Sequence, residues 1–389
     1  MPRTINPGDK KTKTASLFHN LYKPVTEILP GMTPLEARGD RPLQMDFEHQ
    51  LKSLILFHLE EHTSAQHLLH VLKEDAFAIS TIAPPEGIGK SSFGEAINNR
   101  GLEQFSYVFE QLQLRATKTI PAQFSRLGEL VAIDGSLIDS VLSMYWADYR
   151  DGSKKAKAHV GFDLNRSIPR KIFLTDGKSD ERPFISRILQ PGQTGVTDRG
   201  YQCHRDFDLL QTEGKHFICR IKKKTHQSII KQQEAPQDSI VFYDARVLLG
   251  TAGENQTKHE VRVVAYRVAG VEYFIATDRF DLSAEDIALA YKLRWEIEKF
   301  FAWWKRHLKV YHLIARSAYG LMVQLLAGLI TYLLLSIYCQ EQYNERVSIK
   351  RVREIRIKIR NEFAQQEDIP VNKKKFSKSK HWVSFHAKT

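Results

Sequence analysis

The sequence predicts an α/β protein in which an all-helical region precedes a mixed sheet. Apolar residues recur at helical spacing between residues 45 and 120, and short β-type runs separated by helical patterns follow Pro121. Between residues 226 and 280, β-type runs follow one another without helices. We therefore expect a mixed five-stranded sheet, flanked by helices and interrupted by a β-rich insertion.

The composition is that of a folded protein with a basic C-terminal end. The chain has 389 residues, 42% of them hydrophobic and 26% charged, which excludes overall disorder and allows two or three domains. Residues 301–389 hold 17 Lys/Arg against 6 Asp/Glu, so nearly all of the net charge of +12 lies there. This asymmetry indicates a polyanionic partner, unless the segment is a soluble basic tail without one.

The helical region and the first sheet segments follow from local patterns. The capping-box pattern from Ser92 to Glu95 predicts the start of a helix, and a further helical run reaches about Leu114. The sheet runs lie at 130–134, 157–164, 170–175, 195–198 and 215–222, with helical patterns at 181–189 and 205–213. Their order, β-β-β-α-β-α-β, favours a sheet with right-handed crossovers.

The segment 226–280 has a different character from the alternating region before it. Residues 227–239 are mostly polar, and strands are expected after them at 240–249, 260–268 and 271–278. A helix capped by Ser283 then runs to about Val310. We interpret this stretch as an insertion rather than a continuation of the alternating fold.

One segment resembles a membrane span. Gly320–Cys339 carries no charge over 20 residues but includes Gln324, Thr331 and two tyrosines. It is an isolated case of this composition and follows a motif-rich helix, so we expect a core helix buried on all sides. The first residues lack the apolar core of a signal peptide, and a cytoplasmic location is expected.

The predicted helix 283–310 carries a polar stripe. Tyr291, Arg294, Glu298 and Lys305 fall within about 60° of arc on a helical projection, whereas Glu296 lies away from them. The adjoining arc is apolar and comprises Leu293, Ile297, Phe300, Phe301, Trp304 and Leu308. A polar stripe beside a large core face is typical of a cleft wall, although an ordinary solvated face with an Arg–Glu pair gives the same pattern.

Two aspartates are candidate partners of Glu298. Asp134 ends the run LVAID and Asp198 ends GVTD, and α/β sheets place ligands at such strand ends. Several carboxylates are needed to hold hard divalent metals, which can activate a nucleophile in phosphoryl transfer. Asp163 and Asp176 are competitors, for which a structural role is favoured.

These residues resemble a family signature. The spacing Y-(2)-R-(3)-E-(6)-K of Tyr291, Arg294, Glu298 and Lys305 is similar to that of DDE transposases of bacterial insertion sequences, in the insertion-sequence-4 group. VAIDGS and TDRGY resemble the first and second Asp motifs of that group. The resemblance covers roughly residues 125–340 and implies a ribonuclease-H-like catalytic core.

The resemblance also implies roles for the residues. Asp134, Asp198 and Glu298 would be catalytic and hold two Mg²⁺ ions, which Mn²⁺ can replace, while Tyr291, Arg294 and Lys305 would contact phosphates of the transposon end. The implied partners are double-stranded DNA, as terminal inverted repeats and target, and a second protomer on the DNA. The implied location is the bacterial nucleoid, with no membrane association.

Together, the residue patterns and the resemblance predict six regions along the chain. These are a polar, loose arm at 1–44, a helical DNA-binding domain at 45–120, a first segment of the ribonuclease-H-like core at 121–225, the insertion at 226–280, a second segment of that core at 281–340 and a basic C-terminal region at 341–389.

The expected function is cut-and-paste transposition, that is, DNA cleavage at transposon ends and strand transfer into target DNA. The alternatives are a nuclease of the same fold without strand transfer and a catalytically silent, domesticated DNA-binding protein. Relatives that cleave through a DNA hairpin stack a flipped base on a Trp of the insertion, and none lies between residues 199 and 290 here. Either Tyr243, Tyr266, Tyr273 or Phe274 takes that place, or the hairpin route does not apply. Trp295 is expected to be a packing residue.

The C-terminal end is expected to bind DNA without reading sequence. Seven cations lie between Arg346 and Arg360, and the isoleucines and valines among them, including Ile349 and Ile357, are expected to dock the helix. A Lys cluster between residues 373 and 380 would add a phosphate-binding tail.

Overall fold

The chain forms a mixed α/β structure, in agreement with the predicted class. A computed structural model describes residues 16–37, 42–150, 152–234, 238–310 and 312–367, with side chains as far as residue 361. The helices are α1 Leu17–Ile28, α2 Phe47–Leu59, α3 Ala65–Glu74, α4 Lys90–Asn99, α5 Leu102–Thr119, α6 Phe184–Ile188, α7 His204–Thr212, α8 Ala284–Leu293, α9 Trp295–His307, α10 Ala318–Tyr343 and α11 Ile349–Glu367. The strands are β1 Leu130–Ser140, β2 Asp148–Arg150, β3 Ser153–Asp163, β4 Ile168–Asp176, β5 Thr194–Thr197, β6 His216–Arg220, β7 Gln227–Gln233, β8 Val241–Leu249, β9 Val261–Val268 and β10 Val271–Thr277.

The sheet has the predicted mixed character. β1 pairs antiparallel with β3 and parallel with β5, and β5 pairs parallel with β6. β2 and β4 pair with successive segments of β3, on the edge away from β1. The five strands expected in the alternating region therefore lie in the spatial order β4-β3-β1-β5-β6, with α6 and α7 between the later ones in the chain.

The β-rich insertion continues this sheet, contrary to our expectation. β10 pairs antiparallel with β6, and β9, β8 and β7 follow outward in that order, which makes one ten-stranded sheet within the described residues. Strand β7 occupies the first half of the mostly polar segment 227–239 as the edge strand, where the sequence pattern did not indicate one. An edge strand buries few of its side chains, so the sequence of β7 can be polar and lacks the apolar pattern by which strands are predicted.

Helix α10 is the core helix that the sequence predicts. It is long and apolar enough to cross a membrane, but 94% of its most apolar stretch is buried by the rest of the protein. Helices α2, α4 and α5 and strand β4 contact it. Its polar side chains bond locally: Thr331 donates to the Ala327 carbonyl and Ser336 to the Tyr332 carbonyl. The segment is therefore surrounded by protein rather than exposed to lipid.

The N-terminal arm is more ordered than predicted. The expectation of a loose arm is wrong for residues 17–28, because α1 buries one apolar face comprising Leu17, Phe18, Leu21, Tyr22 and Val25. The helix start that the sequence predicts at Ser92 is also displaced, since α4 begins at Lys90 with Gly89 as its N-cap. Residues 1–15 and 38–41 of the arm lie outside the described residues.

Helix α11 docks on the helical region through Val352, Ile355 and Ile359, which are buried. The expectation that Ile349 and Ile357 dock is wrong, because 41% and 57% of their surfaces are exposed. The Lys cluster at 373–380 lies outside the described residues.

Arginines of this segment bind within the protein. Arg356 pairs with Glu61 and donates to the His307 carbonyl, and Arg360 pairs with Glu60. These bonds join α11 to the end of α2 and to the end of α9. The helix is therefore a clasp between the helical region and the segment that carries the predicted site.

Candidate active site

Asp134 and Asp198 occupy equivalent positions on neighbouring parallel strands. The pairing of β1 with β5 ends at Ala132 and Val196, and each aspartate follows two residues later. Side chains two residues apart share a face, and neighbouring strands lie about 5 Å apart. The register therefore brings the two carboxyl groups together, as the sequence predicts.

The two aspartates leave the sheet differently. Asp198 follows the last residue of β5, and its Oδ1 accepts a hydrogen bond of 2.8 Å from the Gly200 amide. Asp134 does not end its strand, contrary to the prediction: β1 continues to Ser140, and Asp134 pairs with Val160 of β3. The pairing of β1 with β5 does end before Asp134, at Ala132, and this opens the side of β1 that faces Asp198.

The surroundings of Asp134 disfavour its charge. Burial raises the pKa of Asp134 to about 7, and the negative charges of Asp198 and Glu181 add to the rise. The Gly135 amide, which donates to Oδ1 at 2.9 Å, and the Arg294 guanidinium oppose it. A carboxyl group with excess negative charge around it is a site that a cation would stabilise.

The predicted helix 283–310 is divided into α8 and α9. Arg294 and Glu298 form an ion pair at the junction of these two helices. Residue 294 separates α8 from α9, where the Arg294 amide bonds to the Tyr291 carbonyl and the Ile297 amide to the Arg294 carbonyl. The backbone keeps helical dihedral angles there, so the polar stripe persists up to Glu298. Arg294 Nη2 donates to Glu298 Oε1 at 2.6 Å.

The three predicted catalytic carboxylates are not all together in this conformation. Asp134 and Asp198 are neighbours and Arg294 acts electrostatically on Asp134, but Glu298 is engaged by Arg294. Within the described residues, no three Asp, Glu, His or Cys side chains are arranged to hold a metal ion. The shared metal site of these three residues stays a prediction.

The remaining residues of the polar stripe, Tyr291 and Lys305, lie in different places. Tyr291 is buried, and burial raises its pKa; its ring lies 5.8 Å from the Arg294 guanidinium. Lys305 instead donates to the Leu137 carbonyl at 2.7 Å, farther along β1, and burial lowers its pKa. Tyr291 and Arg294 line a wide cleft with Asp198, whereas Lys305 lines a separate depression beside β1.

The wide cleft has a volume of about 1210 Å³ and a basic wall. It runs from Asp198 to the turn that follows β8. Its cationic residues are Arg182, Arg199, Arg205, Arg220, Lys222, Lys258 and Arg294, against Asp180, Asp198, Asp208 and Glu254. Phosphates fit such a wall.

A smaller cavity of about 480 Å³ with aromatic walls adjoins it. Tyr273 stacks on Tyr266 at 5.1 Å between ring centroids and lies 6.2 Å from Tyr291. The Arg220 guanidinium covers the Tyr273 ring at 4.6 Å, and Arg220 lines both spaces. Trp295 lines the cavity with 57% of its surface exposed, so its assignment as a packing residue is wrong.

The competing aspartates have structural roles, as expected. Asp163 Oδ1 accepts a hydrogen bond from the Arg166 amide at 2.9 Å, and Asp176 Oδ1 accepts from the Lys178 and Ser179 amides in the following turn. These bonds close the turns before and after β4.

Sequence reasoning missed Glu181 and Arg220. Glu181 lies in the loop between β4 and α6, and nothing in its neighbourhood suggested a site. Arg220 is the last residue of β6, which pairs parallel with β5, so it lies at the same edge of the sheet as Asp198. That position was a usable signal, because ligands bind at the carboxyl ends of parallel strands.

The fold and this site define a family. Residues 126–334 match the family described as transposase DDE domain, and the chain belongs to it. The resemblance drawn from the motifs is therefore confirmed.

Individual relatives agree with this assignment. The chain is 31% identical to a probable transposase for insertion sequence element IS5377 of Geobacillus stearothermophilus, over 54% of this chain and 57% of the relative. It is 30% identical to the putative transposase y4zB of Sinorhizobium fredii, over 49% and 56%. A putative transposase for insertion sequence element IS4SA of Synechocystis is 24% identical over 65% and 72%. The chain thus spans little more than half the length of the first two relatives.

Proposed function

We propose that the protein is an insertion-sequence transposase, which cleaves DNA at the ends of its element and joins the freed ends to target DNA. The observation that carries this proposal is the matching register of Asp134 and Asp198 beside the Arg294–Glu298 pair, with Asp198 and Arg294 lining a basic cleft. The transposases named above support it by similarity of sequence.

The proposed core fold is ribonuclease-H-like. The support is the strand order β4-β3-β1-β5-β6, in which the first two pairings are antiparallel and the last two are parallel. In this fold the insertion from β7 to β10 would extend the sheet between the second aspartate and Glu298.

Asp134, Asp198 and Glu298 would hold two divalent cations, Mg²⁺ or Mn²⁺. Carboxylate oxygens are the ligands that these ions prefer. Bound there, the ions would supply a lowered pKa for the attacking hydroxyl and charge stabilisation for the departing oxygen. Asp134 has to lose its proton to bind, and Arg294 opposes the rise of its pKa.

The basic cleft would hold the DNA backbone. Arg199, Arg220, Lys222 and Lys258 are cations of the wall that the sequence did not single out. Arg294 would exchange Glu298 for a DNA phosphate, which can accept charge-assisted, bidentate hydrogen bonds from a guanidinium as a carboxylate does, and this exchange would free Glu298 for a metal.

The aromatic cavity suits a flipped base and favours the hairpin route. Of the four aromatic candidates in the insertion, Tyr266 and Tyr273 line it, while Tyr243 donates to Gln227 and Phe274 packs on Phe242. A base entering it would meet the rings of Tyr273, Tyr291 and Trp295, and base stacking on aromatic rings tolerates any sequence.

The helical region would read the terminal repeats, and two protomers would hold the two ends together on DNA. Helix α11 has fewer cations available to DNA than its sequence suggests, because Arg346, Arg351, Arg356 and Arg360 bind protein groups. We retain Arg353 as a candidate phosphate contact, together with Lys350 beside Glu354 and Lys358 beside Tyr343, because all three side chains are exposed. A location in the bacterial cytoplasm, on the nucleoid, follows from this function.

The experiment that tests this function follows DNA products. The full-length protein with Mg²⁺ is incubated with DNA that carries both ends of its element, beside an Asp198→Asn control. We expect end cleavage and joined products with the wild type and neither with the control. Nicks without joining would instead establish a nuclease, and end binding without any cleavage would establish a silent DNA-binding protein.

A further inference from the structure

The loop between β1 and β2, residues 141–147, presents large apolar side chains to solvent. Val141, Leu142 and Tyr145 are all exposed, and Leu142 at 69% and Tyr145 at 81% exceed every other large apolar residue of the described chain. Single exposed apolar residues are common on protein surfaces, but several of them on one short loop indicate a surface that contacts a partner.

Neighbouring residues anchor this loop to the core. Met144 and Ala147 are fully buried, and the Trp146 indole Nε1 donates to the Arg316 carbonyl at 2.8 Å. Two backbone hydrogen bonds of 2.9 and 3.0 Å close the turns within the loop. The exposed side chains are therefore held out from the protein by a folded loop, which can keep them in position against a partner.

Cationic side chains without acidic partners flank the loop. Arg306 is exposed and lines, with Lys305, the depression beside the last part of β1. Arg316 is exposed where its carbonyl accepts the Trp146 hydrogen bond. Neither arginine side chain has an acidic partner among the described residues. Both are therefore available to an anionic partner that lies on the loop.

The acidic residues of this surface do not cancel these charges. Asp139 lines the same depression but pairs with Lys155 at 2.6 Å, and Asp148, directly after the loop, pairs with Lys178 at 2.6 Å. The surface is thus apolar at its centre and positive at its edge. A stable protein interface needs about 800 Å² per partner, more than three side chains supply. Apolar side chains beside cations are instead typical of proteins that insert into the DNA minor groove.

Strand β1 sets the distance between this loop and Asp134. The strand pairs with β3 without interruption from Val131 to Ser140, and Val141 follows Asp134 by seven residues. At about 3.3 Å per residue, the loop begins about 23 Å from Asp134, which is the length of about seven base pairs. The residues of the loop do not line the wide cleft. A duplex on the loop can therefore reach Asp134 within one helical turn while other DNA occupies the cleft.

We propose that the β1–β2 loop is a wedge for target DNA. Leu142 and Tyr145 enter the minor groove and partly unstack a base step, while Arg306 and Arg316 contact the flanking phosphates. Insertion of apolar side chains kinks a duplex toward its major groove, so the loop presents a bent target to Asp134. This inference rests on the proposed function, because it assigns a place to the target duplex that strand transfer requires.

The test measures bending of a short duplex of unrelated sequence that carries a fluorescence donor and an acceptor at its two ends. The full-length wild-type protein should raise the energy transfer between them, because a bend brings the ends together. The double variant Leu142→Ala, Tyr145→Ala should lose most of this rise. Ile229→Ala is the matched control, since Ile229 is 57% exposed on the edge strand β7, and it should bend the duplex as the wild type does.

The same variants are compared in DNA joining. With precut element ends, the double variant should join them to target DNA about 10-fold more slowly, the scale of one large apolar side chain that is no longer buried. Its cleavage of uncut ends should stay within about twofold. Arg306→Ala and Arg316→Ala should each reduce the salt slope of binding to the unrelated duplex by about 1, since one phosphate contact contributes about 0.9.

The outcomes separate this inference from the proposed function. Unchanged bending and unchanged joining in the double variant would overturn the wedge, even where the protein cleaves and joins DNA. Loss of a DNA-free dimer in analytical ultracentrifugation, with the bend retained, would make the loop a contact between protomers and would also overturn it. If the wild type joined no ends but its bend depended on Leu142 and Tyr145, strand transfer would be refuted while the loop would still be a DNA wedge.

Discussion

Replacing Asp134 by asparagine should stabilise the metal-free protein at neutral and alkaline pH. Asp134 is largely removed from water and lies near the negative charges of Asp198 and Glu181, so its ionised form is disfavoured in the folded chain. Asparagine keeps the shape and the Oδ1 acceptor for the Gly135 amide but carries no charge. The variant should therefore lose catalysis and gain stability, a trade expected of residues whose placement serves function.

The magnitude follows from the pKa of Asp134, about 7 in the folded chain against an ordinary 3.8. The folded state binds the proton more tightly than the unfolded chain, so the free energy of unfolding of the wild type falls as pH rises between these values and levels off above about 7. At about 1.4 kcal/mol per pKa unit, the penalty is about 2 kcal/mol at pH 5 and about 4 kcal/mol at pH 8. The stability gain of Asp134→Asn should grow accordingly with pH.

Urea unfolding followed by tryptophan fluorescence, in EDTA at several pH values from 5 to 8, measures this gain. Asp139→Asn is the control on the same strand, because the Asp139 side chain is 85% exposed and its removal should change stability by less than about 0.5 kcal/mol at every pH. A gain that does not increase with pH, or a loss of stability at pH 8, would refute the account of Asp134. Added Mg²⁺ should stabilise the wild type and narrow the gap.

Three further predictions concern catalysis, the clasp and the aromatic cavity. Glu298→Gln should reduce end cleavage at least about 100-fold while end binding, measured by gel shift, stays within about twofold; an equal loss of binding would show a structural role instead. Arg356→Ala should lower the free energy of unfolding by about 1–3 kcal/mol in urea titration, because it removes the arginine that pairs with Glu61 and donates to the His307 carbonyl; an unchanged midpoint would mean that the clasp contributes nothing. Tyr273→Ala and Trp295→Ala should each reduce DNA hairpin formation about 10-fold, with first-strand nicking retained, and undiminished hairpin yield on sequencing gels would exclude base stacking there.

The sequence determined the chemistry-bearing residues because their local patterns are strong. The periodicity of the stripe separates Glu298 from Glu296, and the structure pairs Glu298 with Arg294 while Glu296 binds Lys299. The scattered polar residues in the uncharged run of α10 indicate a core helix rather than a membrane span. Helical and β periods are local properties, so they survive without knowledge of the neighbours.

The tertiary structure decided how these residues meet. No local pattern placed Glu181 against Gly135, since that contact joins a loop to a strand 46 positions earlier in the chain. Whether a polar segment becomes the edge strand β7, and which face of α11 docks, depends on the surfaces that the rest of the folded chain leaves uncovered. Arginines of α11 that resembled a DNA-binding surface bind Glu60 and Glu61 instead, because the folded chain brings those carboxylates nearby. Charge and periodicity determine which kinds of interaction a side chain can make, but long-range packing determines which partner it contacts.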